Sequence, residues 1–153
     1  MAQYSGNGRV IQQGQCMYES LPVSVAPRAE RFDYFQSIVD RLFCNMHIKP
    51  GNSLGRPFEG AIEVADLGSV RLARVATAAC TVHRRPEHIA HVRDPSYLVK
   101  FQLKGESHWT QRGREVHLRP GDFVIASTAE PYMLRFQDDY EMPVLAVGAT
   151  TMR

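Results

Sequence analysis

Six histidines are the side chains in this sequence best equipped for metal or acid–base chemistry: His47, His83, His88, His91, His108 and His117. A catalytic metal needs about three converging ligands, usually histidines joined by a carboxylate. No His-x-His pair occurs, and His88 and His91 would share a face only if their polar connection were helical. His117 falls on the polar side of an alternating segment, Arg114 to Arg119. The expectation is surface and loop histidines with no metal. Nucleophilic chemistry has no better support. There is no Gly-x-Ser-x-Gly elbow and no recognisable Cys–His spacing, and Gly6-Asn7-Gly8 lacks the flanking strand and helix of a phosphate-cradling loop. Aspartates and glutamates are plentiful, but no pair stands out. Binding rather than catalysis is therefore expected, with no catalytic residue and no cofactor.

What remains is a group of aromatic and cationic residues on strand-like segments: Arg74, Tyr97, Phe101, Trp109 and Tyr132. Ligand pockets are mostly apolar with a few polar anchors. The four aromatics could line such a pocket. Arg74, set in Leu72-Ala73-Arg74-Val75-Ala76, could hold an anionic group. The competing reading is structural, because aromatics on alternating strands usually fill the core and a strand arginine usually faces water.

The elements that would position these residues are legible from turns and periodicity. Arg112-Gly113 suits the tight turn of a hairpin, since glycine accepts positive φ. The segment after it places Val116 and Leu118 on one face, and Pro120-Gly121-Asp122 turns the chain into Phe123-Val124-Ile125-Ala126. A glycine followed six residues later by Pro-Gly has the spacing of the second half of a cupin motif, without that motif's histidines. Tyr97 to Lys104 also alternates, with Tyr97, Val99, Phe101 and Leu103 against Leu98, Lys100, Gln102 and Lys104. Strands are expected at 61–65, in one bent or two pieces over 69–82, at 132–136 and at 142–147. Residues 47–60 and 84–95 read as loops. One helix is expected from Pro27 to about Met46, where Phe32, Phe35, Ile38, Val39, Leu42, Phe43 and Met46 form a buried stripe. Residues 1–25 read as an N-terminal arm. Its first twenty positions suit a flexible tail, with short extended pieces at Val10-Ile11 and Met17-Tyr18 as the alternative. The body, residues 26–153, reads as a mainly-β, cupin-like jelly-roll barrel preceded by one amphipathic helix.

A chain of 153 residues suits one domain, and 44% hydrophobic with 22% charged residues is an ordinary globular balance. The net charge of +2, spread mainly over scattered arginines, argues against a nucleic-acid-binding face. No apolar run is long enough to span a membrane, and the N-terminus lacks the basic and apolar regions of a secretory signal. Cys16, Cys44 and Cys80 are odd in number and far apart, which suits reduced thiols in a cytoplasmic protein.

In order and spacing the pieces resemble the N-terminal effector-binding domain of AraC-family transcription regulators, in the variant found beside amine- and aromatic-compound-responsive members. The resemblance runs from about residue 28 to the end. It is carried by Phe32-Asp33-Tyr34-Phe35, Leu42-Phe43, Phe58-Glu59-Gly60-Ala61-Ile62, Leu67 through Val75 and Val82-His83-Arg84. It continues in Tyr97 through Gly105, Gln111-Arg112-Gly113-Arg114, Leu118 through Asp122 and Pro131-Tyr132. It implies a cupin-like barrel that binds a small molecule, here an aromatic or anionic effector, with the arm closing over it. It also implies subunit pairing through later helices and DNA reading by a separate helix-turn-helix domain, so that this chain is the sensing part of a longer protein. The alternatives from the residues alone are a small cupin-fold enzyme and a stand-alone ligand-binding protein.

Overall fold

The computed structural model describes residues 11–13, 16–52, 55–90 and 94–148. Twelve strands lie among them. One sheet contains, in order across it, β1 (Ile11–Gln13), β2 (Cys16–Pro22), β4 (Gly60–Asp66), β5 (Val70–Thr77), β12 (Tyr140–Gly148), β7 (Ser96–Phe101) and β10 (Phe123–Ser127). The other runs β3 (His47–Pro50), β6 (Cys80–Arg84), β11 (Tyr132–Phe136), β8 (Ser107–Gln111) and β9 (Arg114–Leu118). Every ladder is antiparallel. The inner faces meet in one core: Ile62, Ala73, Leu98, Ala126 and Val144 from the larger sheet, Ile48, Val82, Trp109, Leu118 and Leu134 from the smaller. This is the mainly-β, cupin-like architecture expected from the spacing of short strands and turns.

The helix is shorter than its apolar stripe. A 3-10 turn over Arg28–Glu30 leads into α1 (Arg31–Leu42), which buries Tyr34, Phe35, Ile38, Val39 and Leu42 in the same core. Phe58 covers it from outside, with ring centroids 5.3 Å from Phe32 and 5.1 Å from Phe35. The helix stops at Leu42 for two local reasons. Arg71 Nη1 donates to the Leu42 carbonyl at 2.6 Å, satisfying a helix-end acceptor with a cation where the helix dipole favours one. Gln36 then fixes the exit path: its amide donates to Met46 O at 2.9 Å and its carbonyl accepts from Ile48 N at 3.0 Å. Those two bonds hold the start of β3, a strand inside a stretch expected to be loop. Gln36→Leu keeps the helix but removes both bonds, so a loss of about 2 kcal/mol is expected in urea denaturation.

Other boundaries differ in instructive ways. Residues 69–82 form two strands, β5 and β6, split at Ala78-Ala79, and the stretch expected to be loop at 84–95 holds one helical turn, α2 (Pro86–Ile89). Cys16–Pro22, within the expected arm, is an ordered strand paired along β4. Residues 1–10 lie outside the described residues, so the expected tail and lid are not addressed there. The turn between β8 and β9 has φ of 52° at Arg112 and 71° at Gly113, the pair of positive values that a primed hairpin turn requires. Pro143, inside the central strand β12, donates nothing to a ladder. Pairing of β12 with β7 accordingly begins only at Val144.

The orientation of β7 matters most for function. Leu98, Lys100 and Gln102 are buried, whereas Phe101 and Leu103 are 41% and 52% exposed. The more apolar side of the alternating segment therefore faces out. It belongs to an apolar row across four strands, Leu72–Leu145–Val99–Ile125, with Phe101 and Phe123 beside it at 5.8 Å between ring centroids. Two of the inward side chains are fully accommodated. Leu98 packs fully, and the Gln102 amide accepts from Ser107 Oγ at 2.7 Å and donates to Lys104 O at 2.8 Å.

Candidate ligand-binding site

Inward-facing positions on β6, β7, β11 and β12 bring an unusual polar group into the apolar core. Lys100 on β7 is 6% exposed. On the neighbouring strands it lies opposite Val144 and Val124. Among the described residues its Nζ makes one hydrogen bond, 3.3 Å from the Tyr132 hydroxyl on the opposite sheet, and it sits 4.9 Å from the centre of the same ring. None of the ion pairs among the described residues includes Lys100. A buried ammonium without a carboxylate loses hydration and regains little, so burial pushes its pKa down to about 8. Tyr132 is buried too, and burial raises its phenol far above the usual value, keeping the hydroxyl neutral. Its ring stacks on Trp109, with centroids 4.7 Å apart and an interplanar angle of 26°.

A second buried cation, Arg84 on β6, is arranged quite differently. Nε and Nη2 donate to Thr128 O at 3.2 and 2.7 Å, and Nη1 donates to Asn45 O. Thr128 is in turn locked to Ser96, whose N–H donates to Thr128 Oγ1 at 2.8 Å. Arg84 is thus a structural clip between the segment after α1 and the one after β10. Its donors are occupied, while those of Lys100 are mostly not.

Lys100 opens onto a cavity of about 40 Å³ between the sheets and α1. Phe35 and Val39 of α1, Leu98 of β7, Leu134 of β11 and Met142 of β12 form most of its wall. The only polar side-chain atoms in the lining are Lys100 Nζ and the Tyr140 hydroxyl, and the latter lies 3.5 Å from Cys80 Sγ. Burial raises both nearby thiols, Cys80 to about 11. A wider, open cleft of about 880 Å³ runs past Arg56, Phe58, Gly60, Ala79 and Asp138. The interior cavity has an apolar wall with Lys100 and Tyr140 as its polar groups, and its roughly 40 Å³ is well below the few hundred Å³ of a typical ligand pocket, so a ligand there requires the barrel to widen.

The five expected site residues do not assemble into one lining. Trp109 and Tyr132 come together as the stack beside Lys100. Arg74 projects from the outer face of β5, where its guanidinium pairs with Glu141 and, at 3.3 Å, with Glu63. Those carboxylates hold Arg74 already, and the same pairing lowers the pKa of Glu141. Tyr97 and Phe101 lie on the outward side of β7, opposite Leu98 and Lys100, because register turns the apolar side of that strand away from the core. The cation that does face inward is Lys100, and alternation alone hid it. The one available signal was that Lys100 shares its face with Leu98, which no solvent-facing strand side requires.

The histidines are dispersed. His108 and His117 stack at 4.7 Å on the outer face of the smaller sheet, with His117 Nε2 2.7 Å from Glu106 Oε2, and His91 lies outside the described residues. Among the described residues no group of three His, Cys, Asp or Glu side chains is placed to hold a metal ion. No described helix is long and apolar enough to cross a membrane.

Residues 35–153 match the model of the AraC-binding-like domain. The chain belongs to that family. This AraC-binding-like domain is 29% identical over 117 residues to a protein described as "Uncharacterized protein in nit 5'region" of Bacillus sp. (strain OxB-1), which covers 75% of this chain and 44% of that one. Its fold is shared with the AraC-like transcriptional activator CuxR, at TM-score 0.69 and 18% identity over 82% of this chain and 45% of that one. An RmlC-like cupin protein from Desulfovibrio desulfuricans overlaps 57% of this chain and 81% of its own, at TM-score 0.41 and 14% identity. The domain therefore spans less than half the length of each of the first two proteins.

Proposed function

We propose that this AraC-binding-like domain is the effector-sensing part of a cytoplasmic transcription regulator, and that the effector binds inside the barrel against Lys100. The observation that carries the reading is an apolar cavity opening on a buried amine whose only hydrogen-bond partner among the described residues is one tyrosine hydroxyl. Membership of the AraC-binding-like family and the fold shared with an AraC-like activator support a regulatory rather than an enzymatic role. In this reading Trp109 and Tyr132 back the ligand. DNA is read by a separate domain of the longer protein, in which two subunits pair. Switching requires that the effector prefer one of two conformations, since affinity shared equally by both would shift nothing. Helix α1 is well placed to report occupancy, because Phe35 and Val39 form part of the cavity wall while Gln36 ties the same helix to β3.

A thermal-shift screen of small metabolites tests the proposal. A ligand at a hundred times its Kd stabilises the native state by about 2.7 kcal/mol, enough to raise Tm by several degrees. The expected hits lose at least tenfold in affinity in Lys100→Met while the variant stays folded. Hits that bind Lys100→Met as well as they bind the wild type would place the effector elsewhere.

A further inference from the structure

The geometry points to Lys100 as a carbonyl-reactive lysine, so that the ligand class its cavity takes is a small apolar aldehyde held as a reversible imine. This inference rests on the reading of the barrel interior as the effector site and adds the chemistry by which the site holds its ligand. Two observations favour a carbonyl over a carboxylate. The first is the count of donors. A buried carboxylate needs several hydrogen bonds to replace its hydration, yet the cavity wall offers only Nζ and the Tyr140 hydroxyl, the latter beside Cys80. An aldehyde presents one carbonyl oxygen and an otherwise apolar body, which suits such a wall. The second is the state of the amine. The groups around it are Tyr132 of β11, Cys80 and Arg84 of β6, Tyr140 of β12 and Cys44 after α1, and none is an anion at neutral pH. With a pKa near 8, roughly a quarter of the molecules carry a neutral Lys100 at pH 7.5. The neutral amine is the nucleophile in imine chemistry, and a desolvated lysine in an apolar pocket is one of the ways proteins produce it.

The step needs no co-reactant. The Nζ lone pair attacks the carbonyl carbon, a C–N bond forms, and a proton moves from nitrogen to oxygen to give the carbinolamine. The carbinolamine hydroxyl takes up the remaining N–H proton and leaves as water as the C–O bond breaks, while the Tyr132 hydroxyl, 3.3 Å from Nζ, orients the nitrogen. One aldehyde and one amine become one imine and one water, with no change of oxidation state, and hydrolysis reverses it. The product is neutral, so where Lys100 starts as the ammonium one proton is released to solvent and the buried charge is lost.

The sequence provides internal controls, because its only other lysines are Lys49 and Lys104, both exposed. Purified residues 1–153 are incubated with butanal at pH 7.5, treated with sodium borohydride, then peptide-mapped by mass spectrometry. The expected result is reductive alkylation at Lys100 at least tenfold faster than at Lys49 or Lys104. The rate at Lys100 rises with pH and levels off above about 8. Tyr132→Phe slows modification of Lys100 about tenfold without changing that at Lys49. Equal labelling of the three lysines, or none at Lys100, overturns the proposal. Butanoate, as the matching carboxylate, separates the two readings. If butanoate but not butanal raises the Tm of wild type and not of Lys100→Met, imine formation is refuted while the interior effector site stands. If neither probe gives a Lys100-dependent shift or adduct, both fall.

Discussion

Lys100→Met should stabilise the domain at neutral pH by about 3 kcal/mol. Methionine matches the length and most of the volume of the lysine stem, so the apolar contacts with the cavity wall survive while the ammonium is removed. The size of the effect follows from the titration. Lys100 falls from 10.5 to about 8 on folding, so at pH 7 the native state carries a charge that it disfavours relative to the unfolded chain. Between about pH 8 and 10.5 the unfolded lysine holds a proton that the native one has lost. In that window the unfolded state binds more protons, and wild-type stability gains a rising contribution with pH from this group. Below pH 8 the penalty is present in full and is flat. The buried thiols oppose this trend. Cys80 keeps its proton in the native state to about pH 11 and so removes stability above pH 9. The quantity to measure is therefore the difference between wild type and Lys100→Met in urea denaturation. It should be constant from pH 6 to 7.5 and shrink as pH rises towards 10. A variant less stable than wild type at pH 7 would show that Lys100 has a stabilising partner.

The opposite outcome is expected at the other buried cation. Arg84→Met should lose about 2–3 kcal/mol, the cost of removing charge-assisted bonds to two backbone acceptors, one of them buried. The guanidinium bridges Asn45 O and Thr128 O across two segments that no ladder joins. Without it the carbonyl of buried Thr128 is left with no donor, which is costly, while that of exposed Asn45 turns to water. Arg84→Lys should recover little, because one ammonium cannot reproduce a planar fork that serves two acceptors in different directions. Two inward-facing cations in one barrel thus differ by their partners. One is held on every side and is there for structure; the other is held by a single hydroxyl and is available to a ligand. Equal destabilisation by the two methionine variants would erase that distinction.

Much of the fold could be read from the sequence because it is governed by local signals. The Gln111–Asp122 hairpin follows from turn chemistry, and the α1 stripe from helical spacing. What escaped is decided at a distance. β3 is a four-residue strand ending in Pro50, set by its ladder with β6, distant in sequence, and by the Gln36 bonds at its start. The facing of β7 is set by pairing with β12 and β10, which alternation within β7 cannot report. That one fact separates Tyr97 and Phe101 from the interior and brings Lys100 into it. Trp109 and Tyr132 sit on β8 and β11, adjacent strands of one sheet, so their stacking could be inferred only after the strand order was known. Arg74 stood out because it interrupts a run of small apolar residues. The structure explains the interruption by Glu63 and Glu141 on the strands to either side.

The most direct test of the interior effector site is a crystal structure of residues 1–153 grown with a compound that raises its Tm. Density for the compound between α1 and the two sheets, with one of its atoms bonded to or within about 3.3 Å of Lys100 Nζ, is the predicted result. Density in the open cleft beside Arg56 and Asp138, with Lys100 still held only by Tyr132, would contradict it.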